Sequence, residues 1–201
     1  MTRWLPPAIA VLLLSACAHL PVGTDGLSYD ARRAALTGVD AWDMRGRLAV
    51  DTGGRAFSGS FDWHQRADAL DLVVRGPLGA GVLQVAGTPS SMTFTARGET
   101  RTLTDPEAEL SALLGWWLPV GSLHAWLLGL TDPKFRASSE NGADGTLAGF
   151  EQRDWRAVFP TYQLATVSGR APGVLVPRRI DLTHDELKLR LTIDDWRPTA
   201  P

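Results

Sequence analysis

The chain contains a single cysteine, Cys17, among 201 residues. An internal disulfide framework is thereby excluded, and so is a cysteine-based zinc cluster. An excess of one charge is also missing: 20 Lys and Arg stand against 22 Asp and Glu, a formal net charge of −2. A nucleic-acid binder would carry a basic excess or stripe, and neither is present. No apolar run approaches the about 20 residues that a membrane-spanning helix needs. Catalytic signatures are absent: there is no Gly-x-Ser-x-Gly elbow, His-Glu-x-x-His pair, P-loop or dinucleotide fingerprint. The four histidines, His19, His64, His124 and His184, have no metal-ligand spacing. What remains is ordinary globular composition, 44% hydrophobic and 21% charged, which rules out disordered, collagen-like and multi-span membrane chains. This length suits one domain with a substantial core, and neither a metal nor a cofactor is expected.

The first residues read as an address. Arg3 supplies a positive start, and Ala8 to Leu14 form a short apolar run that fits the core of a secretory signal. The run ends in Leu14-Ser15-Ala16-Cys17, which resembles the lipobox of bacterial lipoproteins. That resemblance implies cleavage of residues 1–16, thioether diacylation of Cys17 and acylation of the new amino terminus. Two or three acyl chains, at about 0.8 kcal/mol per buried methylene, anchor a protein stably. Under the lipoprotein sorting rule an aspartate after the cysteine retains the protein in the inner membrane. Ala18 stands there instead, which implies the outer membrane, facing the periplasm. Residues 17–28 read as a lipidated tether, with residues 29–201 forming a single domain.

The body alternates with period two. Phe57, Gly59, Phe61 and Trp63 share one strand face, while Ser58, Ser60, Asp62 and His64 share the other. Leu187, Leu189, Leu191 and Ile193 repeat the pattern, with weaker versions at Leu48-Val50, Leu70-Leu72-Val74, Leu83-Val85, Met92-Phe94, Trp155-Ala157-Phe159 and Ile180-Leu182. Short strands with one apolar face and frequent glycine turns point to an antiparallel sheet. Helical spacing interrupts it. Asp105-Pro106 opens one helix, with Leu110, Leu113, Leu114 and Trp117 on one face. Leu123, Trp126, Leu127 and Leu130 make a second stripe, and a third helix is expected over Ser28 to Val39. The stripes can be buried only against the apolar face of the sheet.

Every tryptophan but Trp4 lies in this body. They are either core residues with polar handles or, together with the helical stripes, part of the wall of an apolar cavity under a lid. Catalytic chemistry is thin: Asp194 and Asp195 fall on opposite strand faces, and His184-Asp185 reads as a hairpin turn. The loop Gly76-Pro77-Leu78-Gly79-Ala80-Gly81 holds a large apolar residue where a turn has no use for one. Leu78 either folds back to plug the end of the sheet or projects outward onto lipid or a partner's apolar ligand.

Several motifs, taken in order, carry a family resemblance. They are Trp42, Gly46 and Val50; Phe61-Asp62-Trp63-His64-Gln65; Gly76-Pro77-Leu78-Gly79; Leu118-Pro119-Val120; and Leu123-His124-Ala125-Trp126-Leu127-Leu128-Gly129. Gln152-Arg153-Asp154-Trp155 with Tyr162, and Leu191-Thr192-Ile193-Asp194-Asp195-Trp196, complete the series. Together they resemble the LolB family, outer-membrane lipoproteins that receive other lipoproteins from the periplasmic carrier LolA. The resemblance implies a mainly β fold with helices (α+β): an unclosed antiparallel β-barrel around an apolar cavity with a helical lid. The implied activity is non-enzymatic and nucleotide-free, with LolA, client acyl chains and outer-membrane lipids as partners, no nucleic acid, and a monomeric state. It puts Pro77, Leu78 and Gly79 in a membrane-insertion loop. Candidates for the acyl-binding wall are Phe61, Trp63, Leu114, Trp117, Trp126, Leu127 and Phe159. Gly76 departs from the polar residue common before that proline, Phe159 from a common tyrosine, and Ala137 to Thr146 form an unusually polar loop. A phospholipid carrier or sensor of the same fold, and an anchored lipid hydrolase using Asp194 or His184, remain open alternatives.

Overall fold

The computed structural model describes residues 25–79, 82–167 and 170–198. The signal peptide, Cys17 and residues 18–24 lie outside the described residues, and so does the side chain of Leu78. The strands are β1 (Ala41–Asp51), β2 (Ala56–Arg66), β3 (Ala69–Arg75), β4 (Val82–Thr88), β5 (Ser91–Ala96) and β6 (Glu99–Leu103), then β7 (Ser138–Asn141), β8 (Leu147–Gln152), β9 (Trp155–Val167), β10 (Arg170–His184) and β11 (Leu187–Pro198). The helices are α1 (Tyr29–Thr37), α2 (Pro106–Leu114) and α3 (Val120–Leu127).

All eleven strands join one sheet in the order β6-β5-β4-β3-β2-β1-β11-β10-β9-β8-β7. Two meanders, β1–β6 and β7–β11, are sewn together where β11 pairs antiparallel with β1. The outermost strands β6 and β7 do not pair, so the barrel is unclosed. The chain crosses from one edge to the other once, through α2 and α3.

Alternation sets which face is buried. In β2, Phe61, Trp63 and Gln65 point inward, while Asp62 and His64 point out. Gln65 is tolerated there because its Oε1 accepts from Trp63 Nε1 at 2.9 Å and its Nε2 donates to the Ala67 carbonyl at 2.8 Å. Gly46 is a close approach: a Cβ would strike the Thr192 carbonyl and come within 2.9 Å of Phe61 Cε1. The outer face is held by exposed ion pairs, among them Arg45–Asp62, Arg47–Asp194 and Arg190–Asp181. Each such pair contributes little to stability.

The polar stretch Ala137 to Thr146, expected as a loop, instead contains strand β7, exposed at all four positions. A short, polar edge strand blunts the unpaired backbone of a sheet edge.

Helix signals are met by side chains. The Ser28 hydroxyl accepts from Ala31 N–H, and Asp105 accepts from Ala108 N–H. Glu109 reaches back to the backbone N–H groups of Thr104 and Asp105 at 2.8 and 2.9 Å. Gly115, at φ 79°, stops α2 in the left-handed conformation that only glycine adopts at no cost.

Residues 25–28, read from sequence as the end of the tether, are partly built into the domain. Asp25 is buried and ion-paired with the equally buried Arg32 at 2.7 Å. Asp25 also accepts from the N–H groups of Leu27 and Leu175, and Arg32 donates to the carbonyls of Asp144 and Gly145. This clasp ties α1 to β10 and to the β7–β8 turn. Burial alone would raise the Asp25 carboxyl, but hydrogen bonds from Arg32, Leu175 and Leu27 outweigh it and hold it below its ordinary value of 3.8.

Removing one partner of a buried pair strands the other, so Arg32→Met should cost about 3–5 kcal/mol in denaturant unfolding. The depressed Asp25 value stabilises the fold above the unfolded-state pKa and loses that effect in acid. The stability advantage of wild type over Asp25→Asn should therefore shrink as pH falls below 3.8. An advantage that grows on acidification would contradict this sign.

Candidate functional site

Between the sheet and the helices lies a cavity of about 210 Å³ whose lining side chains are all apolar. The sheet contributes Leu48 and Val50 from β1, Phe57, Phe61 and Trp63 from β2, Leu70, Leu72 and Val74 from β3, and Leu83, Val85 and Phe94 beyond. Leu189 and Leu191 enter from β11. The helical side is Leu110 and Leu114 of α2, Trp116 and Leu118 of the connection, and Val120, Leu123 and Leu127 of α3. These are the inward positions of strands and stripes that alternate in sequence, so the wall follows from periodicity plus one fold-level fact. The sheet and the lid face each other without interdigitating completely.

Of the residues expected at this wall, Phe61, Trp63, Leu114 and Leu127 line it. Trp117, Trp126 and Phe159 are not among its lining residues. The helix that would have carried Trp117 inward ends at Gly115, so Trp116 takes the wall and Trp117 turns towards Arg153 and His184. Leu113, expected on the buried stripe, is 41% exposed. Trp126 is buried against Phe150 and Trp155, its Nε1 donating to Gln152 Oε1 at 2.8 Å. Phe159 packs between Phe150 and Tyr162. The Tyr162 hydroxyl donates to the Leu147 carbonyl, and burial pushes its phenol above the ordinary value. Pro77 and Gly79 sit in a single turn of 3₁₀-helix between β3 and β4.

A family model described as outer membrane lipoprotein LolB matches residues 40–196. The chain belongs to the LolB family. An outer-membrane lipoprotein LolB of Stutzerimonas stutzeri is 32% identical, with 96% of this chain and 94% of that protein covered. Its counterpart in Pseudomonas paraeruginosa is 31% identical over 95% of this chain and 94% of its own length. Among solved structures, a LolA superfamily protein from Nitrosomonas europaea superposes with a TM-score of 0.53 at 7% identity, covering 87% of this chain and 95% of that one. A putative outer membrane lipoprotein-sorting protein domain from Vibrio parahaemolyticus gives 0.53 at 8% identity, covering 84% and 89%. At such identities the likeness is one of fold.

In this LolB-family chain the lid is fastened on one side. Arg153 lies over the rings of Trp117 and Phe135, 4.9 and 4.3 Å from their centroids. Both of its Nη atoms donate to the Glu107 carboxylate of α2, and Nη1 also reaches Ser122 Oγ of α3. Neighbouring Gln152 holds Trp126, and its Nε2 donates to the Asp132 and Phe135 carbonyls at 2.8 and 2.9 Å. Thus the Gln152-Arg153 pair, noted in sequence only as part of a motif, anchors both helices to the β8–β9 hairpin. Among the described residues, no hydrogen bond joins α2 or α3 to β1–β5. There the lid rests on apolar contact and on the stacking of His124 against Trp42.

The titratable groups weighed from sequence are engaged in other contacts. Asp194 is paired with Arg47 and Asp195 with Arg197, while His184 Nδ1 bonds the Asp154 carbonyl and the ring stacks on Trp155. Among the described residues, no group of three or more potential metal ligands occurs. His124 of α3 is the buried exception. It stacks on Trp42 at 5.9 Å, its Nε2 has no hydrogen-bond partner among the described residues, and burial lowers its pKa despite Asp40 and Asp132.

Losing the charged hydrogen bonds of Arg153 should lower stability by about 1.5–3 kcal/mol in Arg153→Ala, read as a denaturant midpoint shift. Burial lowers the His124 pKa in the fold but not in the unfolded chain, so acidification favours the unfolded chain. Wild type should lose stability relative to His124→Gln between about pH 7 and 5. Equal pH dependence of the two proteins would show that His124 is not the group responsible.

Proposed function

We propose that this protein is the outer-membrane receptor that accepts acylated lipoproteins from the periplasmic carrier LolA and inserts them into the inner leaflet of the outer membrane. The observation that carries the reading is the cavity: it is wholly apolar, roofed by a lid, and lies in a LolB-family chain. In this reading residues 1–16 are a signal peptide, Cys17 carries the lipid anchor, and the domain faces the periplasm as a monomer. Neither nucleotide nor metal takes part.

Each methylene sheltered in the cavity gains about 0.8 kcal/mol relative to water. The site must bind chains better than the carrier does and less well than a bilayer, where hydrocarbon surrounds them fully. A cavity of 210 Å³ is below the about 300 Å³ at which ligand pockets usually begin. Cargo therefore has to lift the lid, which apolar contacts towards β1–β5 permit. Partial shelter leaves the remaining chain available to the membrane.

Pro77, Leu78 and Gly79 form the loop assigned to that last step, with Leu78 as its apolar tip. The loop leaves β3 directly after Arg75 and returns at β4, beside the sheet strands that line the cavity.

The direct test mixes LolA loaded with a tagged lipoprotein and a chain beginning at Ala18, which contains every described residue. The tag should move onto this protein without ATP. Retention on a competent carrier would refute the receptor role, and co-purified phospholipid in place of acylated protein would point to a lipid carrier. Leu78→Glu should accept cargo normally yet deliver it poorly to liposomes. Wild-type delivery by that variant would remove Leu78 from the insertion step.

A further inference from the structure

The cavity wall is unevenly exposed. Phe61, Trp63 and Leu127 are 3%, 5% and 2% exposed, whereas Phe57, on the same strand face as Phe61, is 43% exposed. Leu113, Phe135 and Leu164 are the other large exposed apolar side chains among the described residues, and none of them lines the cavity. Other lining side chains, among them Val50, Leu114 and Trp116, are half-buried, and Phe57 is the most exposed of the wall.

Its setting explains how such a ring is kept there. Gly59 is the next inward position of β2, and it offers no side chain. A Cβ at Gly59 would strike the Arg75 carbonyl and lie 3.1 Å from Phe57 Cζ. The ring thus reclines over a bare stretch of strand, and beyond that stretch comes Phe61. No other ring packs on Phe57 among the described residues. An exposed ring of this kind changes rotamer on the picosecond to nanosecond scale. Across the strands Phe57 pairs with Val50, and Val50 with Leu189, so the approach is apolar on the β1 side. The opposite flank of the lid is closed by Arg153 and Gln152. Ser60 pairs with Arg75, so the turn Gly76–Gly79 follows immediately, and Pro77 shares a surface groove with Ser58 and Gly59.

We propose that Phe57 is the entrance residue of the cavity. An incoming acyl chain meets this ring first, displaces it from Gly59, and passes over the bare strand to Phe61 and Trp63. The same route, run outward, releases the chain beside the Gly76–Gly79 turn. This rests on the reading of the cavity as an acyl-chain site.

The test follows uptake of dansyl-labelled palmitate by the chain beginning at Ala18, in stopped flow. Phe57→Glu should slow uptake about tenfold, while Phe57→Leu stays within about twofold of wild type. Leu113→Glu, at a site of similar exposure on the lid but off the lining, should also stay within about twofold. Phe57 replaced by photoreactive p-benzoylphenylalanine, which keeps the ring, should cross-link to the bound probe. Uptake by Phe57→Glu at the wild-type rate, or equal slowing by Leu113→Glu, would overturn the entrance, as would absence of the cross-link. A wild-type protein that takes up no probe would instead overturn the acyl-chain cavity itself, and the entrance with it.

Discussion

A sheet that does not close must cover its apolar inner face with something other than itself. Here β6 and β7 stay apart, and the only segment spanning the gap is the one carrying α2 and α3. Pairing the two edges would have allowed side chains from all round the barrel to fill the interior, as they do in small closed barrels. Two short helices laid across the opening cannot reach as deeply. A cavity remains, and its chemistry is that of the inward strand positions: leucine, valine and aromatic rings.

How the helices are held decides what the cavity can do. Towards the β8–β9 hairpin they are fixed by directional bonds to Gln152 and Arg153, three of them charge-assisted. Towards β1–β5 they meet only apolar surface, which has no preferred register and can exchange one hydrocarbon partner for another. An acyl chain is such a partner. In the proposed role, cargo would replace lid–sheet contact with lid–chain and chain–sheet contact while the fastened side keeps the lid in place. The buried Asp25–Arg32 clasp, remote from the cavity lining, contributes rigidity where the chain enters the domain.

Much of the architecture was legible in the sequence. Strand periodicity and the Asp105-Pro106 signal located the sheet and the inserted helices, and Phe61, Trp63, Leu114 and Leu127, wall candidates by sequence, line the cavity. Other candidates lie away from that wall for definite reasons. Trp117 satisfies a helical repeat that Gly115 ends two residues earlier, so Trp116 and not Trp117 faces inward. Trp126 and Phe159 are apolar and inward as expected, but part of the one core is solidly packed and part encloses the cavity, and periodicity does not say which part a residue joins. Ala137 to Thr146 was too polar to suggest a strand, because an edge strand has no buried face to mark it. Arg32 and Asp25 gave no signal, since a charged pair reads as solvated until the fold buries it.

By itself the sequence determined the alternation of faces, the capped helix starts and the order of motifs that carry the family. These are local properties, written in spacing, capping residues and turn glycines. The tertiary structure decided which apolar faces meet, where they fail to fill the space between them, and which charges lose their water. Those outcomes depend on contacts between residues far apart in the chain. Glu107 and Arg153 illustrate the difference: each is an ordinary polar residue in sequence, and only the return of β8 and β9 across the open edge makes them the fastening of a lid.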